Sequence, residues 1–285
     1  MRTSDVTEAP VTIYYIDGEF VPADKAVIPV DDLAILRGIG VFDLLRTYDS
    51  KPYFLDAHVE RLVASAEKID LPLPWTHAEI SAIVKETLAK NDIPEANIRI
   101  VVTGGPSKDF MTPSGSPRLL VLVSPIPHLP KHWYTDGVKV ISWQVERPIP
   151  GAKSIDYISA SLALKKAAAK GAIEALYIDR NGLALECTTA NIFAFIKDRL
   201  VTPGRGILSG VTRKVVLDLA GGLFQVDIRD ISQQELLTAD EIFITGTSKG
   251  VVPVVQVDSQ TIGNGRPGKN TQRLMEEMKR HTQQL

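Results

Sequence analysis

Residues 153–193 constrain the fold and chemistry of this 285-residue chain more than any other stretch. A run rich in Ala, Leu and Lys at residues 162–171 is a strong helix former that ends at a glycine. Two apolar runs, at residues 175–178 and 183–186, flank the sequence D-R-N-G. Asn-Gly between two β-forming runs is typical of a tight hairpin turn. The sequence therefore predicts a helix that leads into a β-hairpin.

Two charged residues of this stretch are candidates for chemistry. Lys153 precedes the predicted helix, where the macrodipole disfavours a cation, so we expect its amine to be shifted toward the neutral, nucleophilic form. Glu186 lies among apolar residues of the second hairpin strand. A buried carboxylate needs a cation or a hydrogen-bond donor, or it takes up a proton. From spacing alone, a solvated lysine and an exposed glutamate are the commoner arrangement.

Composition limits the classes of function. The apolar fraction of 44 % is enough for one large or two ordinary domains, and a net charge of -2 gives no basic field for nucleic acid or anionic membranes. The single cysteine, Cys187, cannot form an internal disulfide, and no zinc-type spacing occurs, so we expect no metal. Without an apolar run of about twenty residues or a signal peptide, we expect a cytoplasmic protein that binds small molecules.

The rest of the chain predicts two domains. Asp17-Gly18 indicates a hairpin near the N-terminus, and an amphipathic helix opens at His58. A second helix is predicted at residues 76–91, and S-P-I-P-H-L-P marks a linker. The predicted organisation is a small N-terminal α/β domain at residues 1–124, a proline-rich linker at 125–133 and a larger domain at 134–285.

Two further segments are suited to binding an anion. A helix is predicted to start near Ile207, and the free backbone donors of a helix N-terminus attract anions. The strand at residues 241–245 runs into a loop of small residues, which lets backbone amides approach a ligand closely. Most such helix starts bind nothing, so the pattern alone leaves an ordinary capped helix open.

These motifs together resemble a known family. The chain resembles the fold-type IV pyridoxal-phosphate enzymes from about Tyr15 to the C-terminal helix. The resemblance rests on Lys153, the hairpin and three motifs: E-C-T-T-A-N-I-F from Glu186, G-I-L-S-G-V-T-R and I-T-G-T-S. That group comprises the class IV aminotransferases, with D-amino acid and branched-chain aminotransferases, and aminodeoxychorismate lyase. The resemblance implies a mixed α+β and α/β fold, with a small N-terminal α/β domain and a larger C-terminal domain that has a β-barrel-like sheet core and flanking helices. It also implies a homodimer, with residues 37–42 reaching across to the other subunit.

The resemblance also implies roles for individual residues. Lys153 would hold pyridoxal 5′-phosphate covalently and move the proton, and Glu186 would pair with the pyridine nitrogen. The arginine of H-x-x-R-L, Arg61, would bind the cofactor phosphate, which suits its fork of donors. Tyr157 follows Lys153 by four positions, whereas branched-chain enzymes typically place a tyrosine five positions after it. The other implied cofactor-binding residues are Leu208, Val211, Thr212, Gly246 and Thr247.

The substrate side departs from both relatives. D-amino acid aminotransferases have a tyrosine where this chain has Phe42, and the turn T-G-G-P-S-K-D lacks their Arg-x-His pair. The motif F-E-G-[IV]-R of branched-chain enzymes appears here as F-D-L-L-R. Three extra cations, Arg37, Arg99 and Lys249, accompany these changes. By strand alternation Arg99 points either to an exposed face or into a cleft. The predicted substrate residues are Arg37, Phe42, Arg99, Ser248 and Lys249.

The extra cations favour a substrate with carboxylates to pair. Glutamate and 2-oxoglutarate carry two carboxylates, and burying either without a cation is costly. The sequence therefore favours D-amino acid transamination with 2-oxoglutarate or pyruvate as acceptor. L-branched-chain transamination, pyruvate elimination as in aminodeoxychorismate lyase, and a non-catalytic homologue are the alternatives. Which side of the cofactor receives the α-carboxylate, and hence D or L preference, is not visible in the sequence.

Overall fold

The computed structural model describes residues 11–284 and divides them into two units. The first unit contains the described residues up to Val63 together with Leu71–Ile126, and the second contains Ala64–Asp70 and the described residues from Pro127 onward. The first ten residues, for which the sequence predicts no signal peptide, lie outside the described part, as does Leu285. No helix of residues 11–284 has the length and apolar character needed to cross a membrane.

A six-stranded antiparallel sheet organises the first unit, in the order β2-β1-β6-β5-β3-β4. The predicted N-terminal hairpin is confirmed, because Asp17 and Gly18 connect β1 and β2 with φ of 48° and 106°, as a two-residue hairpin turn requires. The strands are β1 Ile13–Ile16, β2 Glu19–Pro22, β3 Gly40–Tyr48, β4 Lys51–Pro52, β5 Ala96–Thr103 and β6 Arg118–Pro125.

Three helices belong to the same part of the chain: α1 Leu33–Arg37, α2 Leu55–Lys68 and α3 His77–Ala89. The end of α2, from Ala64, is assigned to the second unit. The helix predicted at residues 76–91 is confirmed as α3, because Thr76 caps it and Glu79 completes a capping box. Gly38 ends α1 in the left-handed region, with φ of 68°.

A ten-stranded sheet organises the second unit, in the order β12-β11-β10-β14-β15-β7-β8-β9-β13, with β16 paired to β15. The predicted Asn-Gly hairpin is confirmed as β8 and β9. The strands are β7 Val138–Gln144, β8 Glu174–Ile178, β9 Leu183–Cys187, β10 Asn191–Ile196, β11 Arg199–Thr202, β12 Gln225–Ile228, β13 Ile231–Ser232, β14 Glu241–Gly246, β15 Gly250–Val257 and β16 Gln260–Thr261.

The helices of this unit are α4 His132–Thr135, α5 Ile158–Ala169, α6 Val211–Gly221, α7 Gln233–Leu237 and α8 Lys269–Gln283. The helix predicted after Lys153 is α5, but it begins only at Ile158. Because the field of a helix dipole falls off within the first turn, the expected effect of the helix on the Lys153 amine does not apply. The start of α4 lies inside the predicted linker, and the predicted domain limits stay a prediction.

Two apolar clusters of the second unit contain residues of the β8–β9 hairpin. The larger is formed by residues of the sheet strands and α7, and includes Leu176, Ile192 and Ile244. The smaller lies between α5 and the hairpin strands, where Ala163 and Ala167 of the helix meet Tyr177 and Leu185. Glu186 follows Leu185 in the same strand and is itself buried.

Candidate active site

Glu186 is a buried carboxylate with donors from three separate segments. The residue is 6 % exposed, and its Oε1 atom lies 2.5 Å from Nη2 of Arg147. Its Oε2 atom accepts hydrogen bonds from Nδ2 of Asn191 at 3.2 Å and from the backbone N–H of Leu208 at 3.0 Å. Burial raises the pKa of Glu186, and the charge of Arg147 and the Leu208 N–H partly offset the rise. The prediction that a buried Glu186 needs such partners is confirmed.

Arg147 connects Glu186 to the loop that precedes Lys153. Its Nη1 atom donates to the carbonyl oxygen of Ala152 at 2.9 Å, and Nη2 donates to the carbonyl oxygen of Pro150. A planar guanidinium with five donors can serve several acceptors at once. One side chain thus fixes both the carboxylate and the loop that carries the lysine.

Lys153 lies half-buried between β7 and α5. Its backbone N–H donates to Oγ of Ser65 at 3.1 Å, and Ser65 is fully buried on α2. The charge of Lys153 opposes the rise that burial causes in the pKa of Glu186, so the amine and the carboxylate act on each other. Tyr157 is the N-cap residue of α5 and is also half-buried. The structure therefore places Lys153, Tyr157 and Glu186 in the same unit.

Asn191 connects the hairpin to the segment before α6 through hydrogen bonds. Besides its bond to Glu186, Nδ2 donates to the carbonyl oxygen of Leu208 at 2.9 Å. A Cβ added at Gly210 would lie 2.1 Å from the Asn191 Oδ1 atom, so only glycine allows this approach. Gly210 is the N-cap of α6 and offers no side-chain cap, and Val211 opens the helix. The first backbone N–H groups of a helix lack partners within the helix, so this start can bind an anion.

Thr245 carries a buried hydroxyl that lacks a hydrogen-bond partner in the part of the chain the structure describes. The residue is paired with Asn191 between β14 and β10, and the predicted phosphate residues Gly246 and Thr247 follow it. An unsatisfied buried polar group costs about 1–3 kcal/mol. The hydroxyl, the uncapped start of α6 with buried Thr212, and the nearby glycines together fit a phosphate-bearing ligand.

Arg61 lies in the first unit, where it holds a buried aspartate. Its Nε and Nη2 atoms donate to the two carboxylate oxygens of Asp43 at 2.8 Å and 2.7 Å, and Oδ1 of Asp43 is 2.6 Å from Nδ1 of His58. Burial alone would raise the pKa of Asp43, but the charge of Arg61 and the hydrogen bond with His58 hold it well below its ordinary value. The contact of Arg61 with the cofactor phosphate stays a prediction.

Arg37 and Arg99 are exposed cations of the first unit. Arg37 ends α1, and its Nη1 atom donates to the carbonyl oxygen of Leu36 at 2.7 Å. The guanidinium of Arg99 lies 5.0 Å from the ring centroid of Phe42, which is a cation–π contact. Within residues 11–284, neither arginine forms an ion pair with a carboxylate. Both charges are thus available to an acidic ligand.

Lys249 differs from these two arginines because its ammonium has an acidic partner. Its Nζ atom forms an ion pair with Glu174, which is fully buried, and lies 2.5 Å from Oγ1 of Thr189. Ser248 precedes it in the turn between β14 and β15 and is half-buried. The sequence predicts Lys249 as an extra cation for a substrate carboxylate, and the structure shows that this cation is paired with Glu174.

Two residues with clear structural roles here, Arg147 and Glu174, were missed from the sequence. Asn191 and Thr245 stand in the quoted motifs but were given no role of their own. Arg147 and Glu186 are 39 positions apart, and Glu174 and Lys249 are 75 positions apart, so no local spacing reveals either pair. One usable signal existed, because the segment R-P-I-P-G-A-K links Arg147 directly to Lys153.

Comparisons with known proteins point to one family. A sequence model described as Amino-transferase class IV matches residues 40–257. The chain is 36 % identical to a putative branched-chain-amino-acid aminotransferase of Methanocaldococcus jannaschii, over 93 % of this chain and 94 % of that protein. It is 31 % identical to a D-alanine aminotransferase of Bacillus licheniformis, over 90 % of this chain and 93 % of that protein.

Solved structures share the fold. The T.th. branched-chain amino acid aminotransferase with pyridoxamine 5′-phosphate matches with a TM-score of 0.89 and 27 % identity, over 96 % of this chain and 94 % of that one. The same enzyme complexed with N-(5′-phosphopyridoxyl)-L-glutamate matches with a TM-score of 0.88, also at 27 % identity, over 95 % and 94 % of the two chains. These matches confirm the predicted mixed α/β fold of the fold-type IV enzymes.

Proposed function

The chain belongs to the class IV aminotransferases, which depend on pyridoxal 5′-phosphate, and from that premise we propose that it transfers the amino group of a D-amino acid to 2-oxoglutarate or pyruvate. The observation that carries the transaminase site is the buried Glu186, which Arg147 ties to the loop of Lys153. The observation that carries the substrate class is the pair of exposed arginines, Arg37 and Arg99, which form no ion pair with a carboxylate of residues 11–284.

We propose that the cofactor is held mainly by residues of the second unit. The orphan hydroxyl of Thr245 and the uncapped start of α6 at Val211 and Thr212 support phosphate binding, and Gly246 and Thr247 continue the same surface. Arg61, Tyr157 and Leu208 complete the proposed cofactor-binding set. When bound, pyridoxal phosphate supplies a ring that accepts the electron pair left at the substrate Cα.

Lys153 and Glu186 have different tasks in this proposal. Nζ of Lys153 makes the covalent link and, once displaced by the substrate, carries the proton from the substrate Cα. Glu186 keeps a proton on the pyridine nitrogen by offering it a carboxylate. Because burial raises the pKa of Glu186 despite the charge of Arg147, a further positive partner stabilises its ionised form. The raised pKa therefore supports the assignment of Glu186 as the partner of the protonated pyridine nitrogen.

Arg37 and Arg99 are proposed as ligands of substrate carboxylates, and Phe42 and Ser248 are proposed as further substrate residues. A guanidinium binds a carboxylate through two parallel hydrogen bonds, which gives orientation as well as charge. The stacking of Arg99 on Phe42 supports a fixed guanidinium, because it restrains the direction of a long side chain. Arg37 is proposed to act on the site of the partner subunit of a homodimer.

A second candidate is L-branched-chain transamination. It is favoured by the Methanocaldococcus jannaschii relative and the T.th. structure, whose names specify that activity. The D-alanine aminotransferase of Bacillus licheniformis supports the first proposal at somewhat lower identity. Elimination of pyruvate, the aminodeoxychorismate lyase reaction, needs no oxo-acid acceptor. An assay without an acceptor therefore distinguishes it from transamination.

The proposal is tested by steady-state kinetics of D-glutamate with pyruvate, of D-alanine with 2-oxoglutarate, and of L-leucine with either acceptor. In Arg37→Ala and Arg99→Ala we expect KM for D-glutamate to rise by about tenfold more than KM for D-alanine, since a hydrogen bond to a charged group is worth about 1.5–3 kcal/mol. Arg266→Ala, at an exposed arginine of the second unit, is the matched control and should change neither value.

Three results of the same experiment argue against the proposal. Faster turnover of L-leucine than of either D-amino acid would favour the branched-chain alternative. Equal changes of KM for dicarboxylate and monocarboxylate substrates in both variants would show that the carboxylates bind elsewhere. Pyruvate release without an acceptor would indicate a lyase.

A further inference from the structure

The carboxylate of Glu174 accepts hydrogen bonds from two other segments of the second unit. Glu174 is the first residue of β8 and is fully buried. Its carboxylate accepts hydrogen bonds from the hydroxyls of Thr188 and Thr189, from the backbone N–H of Thr189 at 3.1 Å, and from the ammonium of Lys249. We call Glu174, Thr188, Thr189 and Lys249 the Glu174 cluster. Its members join the start of β8, the β9–β10 loop and the β14–β15 turn.

Lys249 is fixed in the β14–β15 turn by its backbone as well as its side chain. Its N–H donates to the carbonyl oxygen of Gly246 at 3.1 Å, and its carbonyl oxygen accepts a hydrogen bond from the hydroxyl of Tyr134 at 2.9 Å. The ammonium closes a third connection, to Glu174 and Thr189. Three separate attachments at one residue hold the turn in a single conformation.

The turn lies directly after the residues that fit a phosphate group. Thr245, with its orphan hydroxyl, is followed by Gly246, and a Cβ at Gly246 would lie 3.3 Å from the carbonyl oxygen of Thr189. The β9–β10 loop is therefore packed closely against the turn. That loop also leads into Asn191, which binds Glu186. The Glu174 cluster thus supports both sides of the proposed cofactor site.

An ionised carboxylate in the interior needs its cation. Separating a buried pair leaves an uncompensated charge, which costs more than the pair gains from forming. If Nζ of Lys249 turned toward a substrate carboxylate, Glu174 would lose the cation that its surroundings provide. The two roles for Lys249, substrate ligand and partner of Glu174, therefore compete, and the buried acid favours the second.

We propose that Glu174 and Lys249 are positioning residues, which hold the turn at residues 246–250 so that its backbone binds the cofactor phosphate, and that Lys249 is not a substrate ligand. This inference rests on the proposed function, because it takes the phosphate of pyridoxal 5′-phosphate as the ligand. It replaces the expectation of a third carboxylate-binding cation with a role in shaping the phosphate site.

The test compares the binding of pyridoxal 5′-phosphate with that of pyridoxal, which lacks the phosphate, to the full-length protein after removal of its cofactor. Lys249→Met, Glu174→Gln and the double variant should each weaken binding of pyridoxal 5′-phosphate by about tenfold, while binding of pyridoxal changes by less than about twofold. Lys249→Arg, which keeps the charge, should recover most of the affinity. Lys279→Met and Glu276→Gln, at exposed positions of α8, are matched controls.

The double variant separates positioning from simple destabilisation. It leaves no buried charge without a partner, so it should unfold at a temperature closer to that of the wild type than the single variants do. Weak binding of pyridoxal 5′-phosphate by this variant supports the inference, and normal binding overturns it. The ratio of KM for 2-oxoglutarate to KM for pyruvate should stay unchanged in Lys249→Met.

A selective rise of KM for 2-oxoglutarate, with normal affinity for the cofactor, would identify Lys249 as a substrate ligand and overturn the inference. Equal losses of affinity for pyridoxal and pyridoxal 5′-phosphate would also overturn it, because they would indicate general damage. If the wild-type protein bound no pyridoxal 5′-phosphate, the proposed function would fail together with this inference. Normal binding by wild type and variants alike would reject this inference alone.

Discussion

Glu186 combines burial with an incomplete set of compensating charges. Arg147, Asn191 and Leu208 all donate to its oxygens, yet burial still raises its pKa. The folded protein therefore holds a proton on Glu186 to a higher pH than the unfolded chain does. The associated stability is fully present below the unfolded pKa near 4.5 and is lost as pH rises through the folded pKa. A buried carboxylate whose ionised form is disfavoured in this way is suited to receiving a cationic ligand.

Replacing Glu186 by glutamine should remove this loss of stability. Without cofactor, Glu186→Gln should show a smaller decrease in Tm between about pH 5 and about pH 8 than the wild type, because glutamine has no proton to lose. Differential scanning calorimetry of the cofactor-free proteins measures this. A decrease equal to that of the wild type would show that Glu186 does not titrate in this range.

The same variant should bind the cofactor but turn over slowly. A neutral amide no longer favours the protonated pyridine nitrogen, so we expect a loss of about a hundredfold in kcat, at the scale of acid–base assistance. Stopped-flow measurement of the reaction with the amino donor checks this. An unchanged rate would leave Glu186 with a structural role only.

At this scale, the sequence predicts residues whose local pattern is distinctive and misses their distant partners. Lys153 and Glu186 stand out because a helix and an Asn-Gly hairpin frame them. Arg147 and Glu174 do not, because their importance comes from side chains far along the chain. Lys249 appears as a spare cation in the sequence for the same reason: its buried partner is 75 positions away.

Elements with strong local determinants agree closely with prediction. The Asp17-Gly18 hairpin and the capped helix α3 are confirmed, since turn and capping chemistry act over a few residues. The start of α5 is less well predicted, because the run of Ala, Leu and Lys that marks the helix begins after Ile158. The order of the ten-stranded sheet depends on pairings between distant strands and leaves no local pattern.

The start of α6 gives a prediction at the scale of an element. Gly210→Ala should displace Asn191 or the first turn of α6, because the new Cβ would lie 2.1 Å from the Asn191 Oδ1 atom. We expect a loss of about 1–3 kcal/mol in the free energy of unfolding, together with weaker binding of pyridoxal 5′-phosphate. Chemical denaturation and cofactor titration measure the two effects.

Gly221→Ala is the control in the same helix. No atom lies within 4 Å of a Cβ at Gly221, and alanine is the better helix former, so this variant should be neutral or slightly stabilised. Equal behaviour of the two variants would contradict the close approach of Asn191 to Gly210.

For the molecule as a whole, the resemblance to fold-type IV enzymes predicts the fold of nearly the entire chain, and the structural matches confirm it. Assembly is a further prediction at this scale. We expect a homodimer, because the apolar, glycine-rich segment I-L-R-G-I-G-V-F is better covered than exposed, and because the resemblance to fold-type IV enzymes implies a site that two subunits share. Light scattering coupled to size exclusion measures the mass. A fully active monomer would contradict the expectation.

Amino-group transfer that depends on Lys153 is the central claim, and one measurement tests it directly. Wild-type protein is incubated with ¹⁵N-labelled D-glutamate and pyruvate, and the label in alanine is followed by mass spectrometry beside Lys153→Ala. We predict ¹⁵N-alanine from the wild type and a rate lower by about a thousandfold or more in the variant, because covalent and acid–base catalysis are lost together. Label transfer at an undiminished rate by Lys153→Ala, or no transfer by the wild type, would contradict the account.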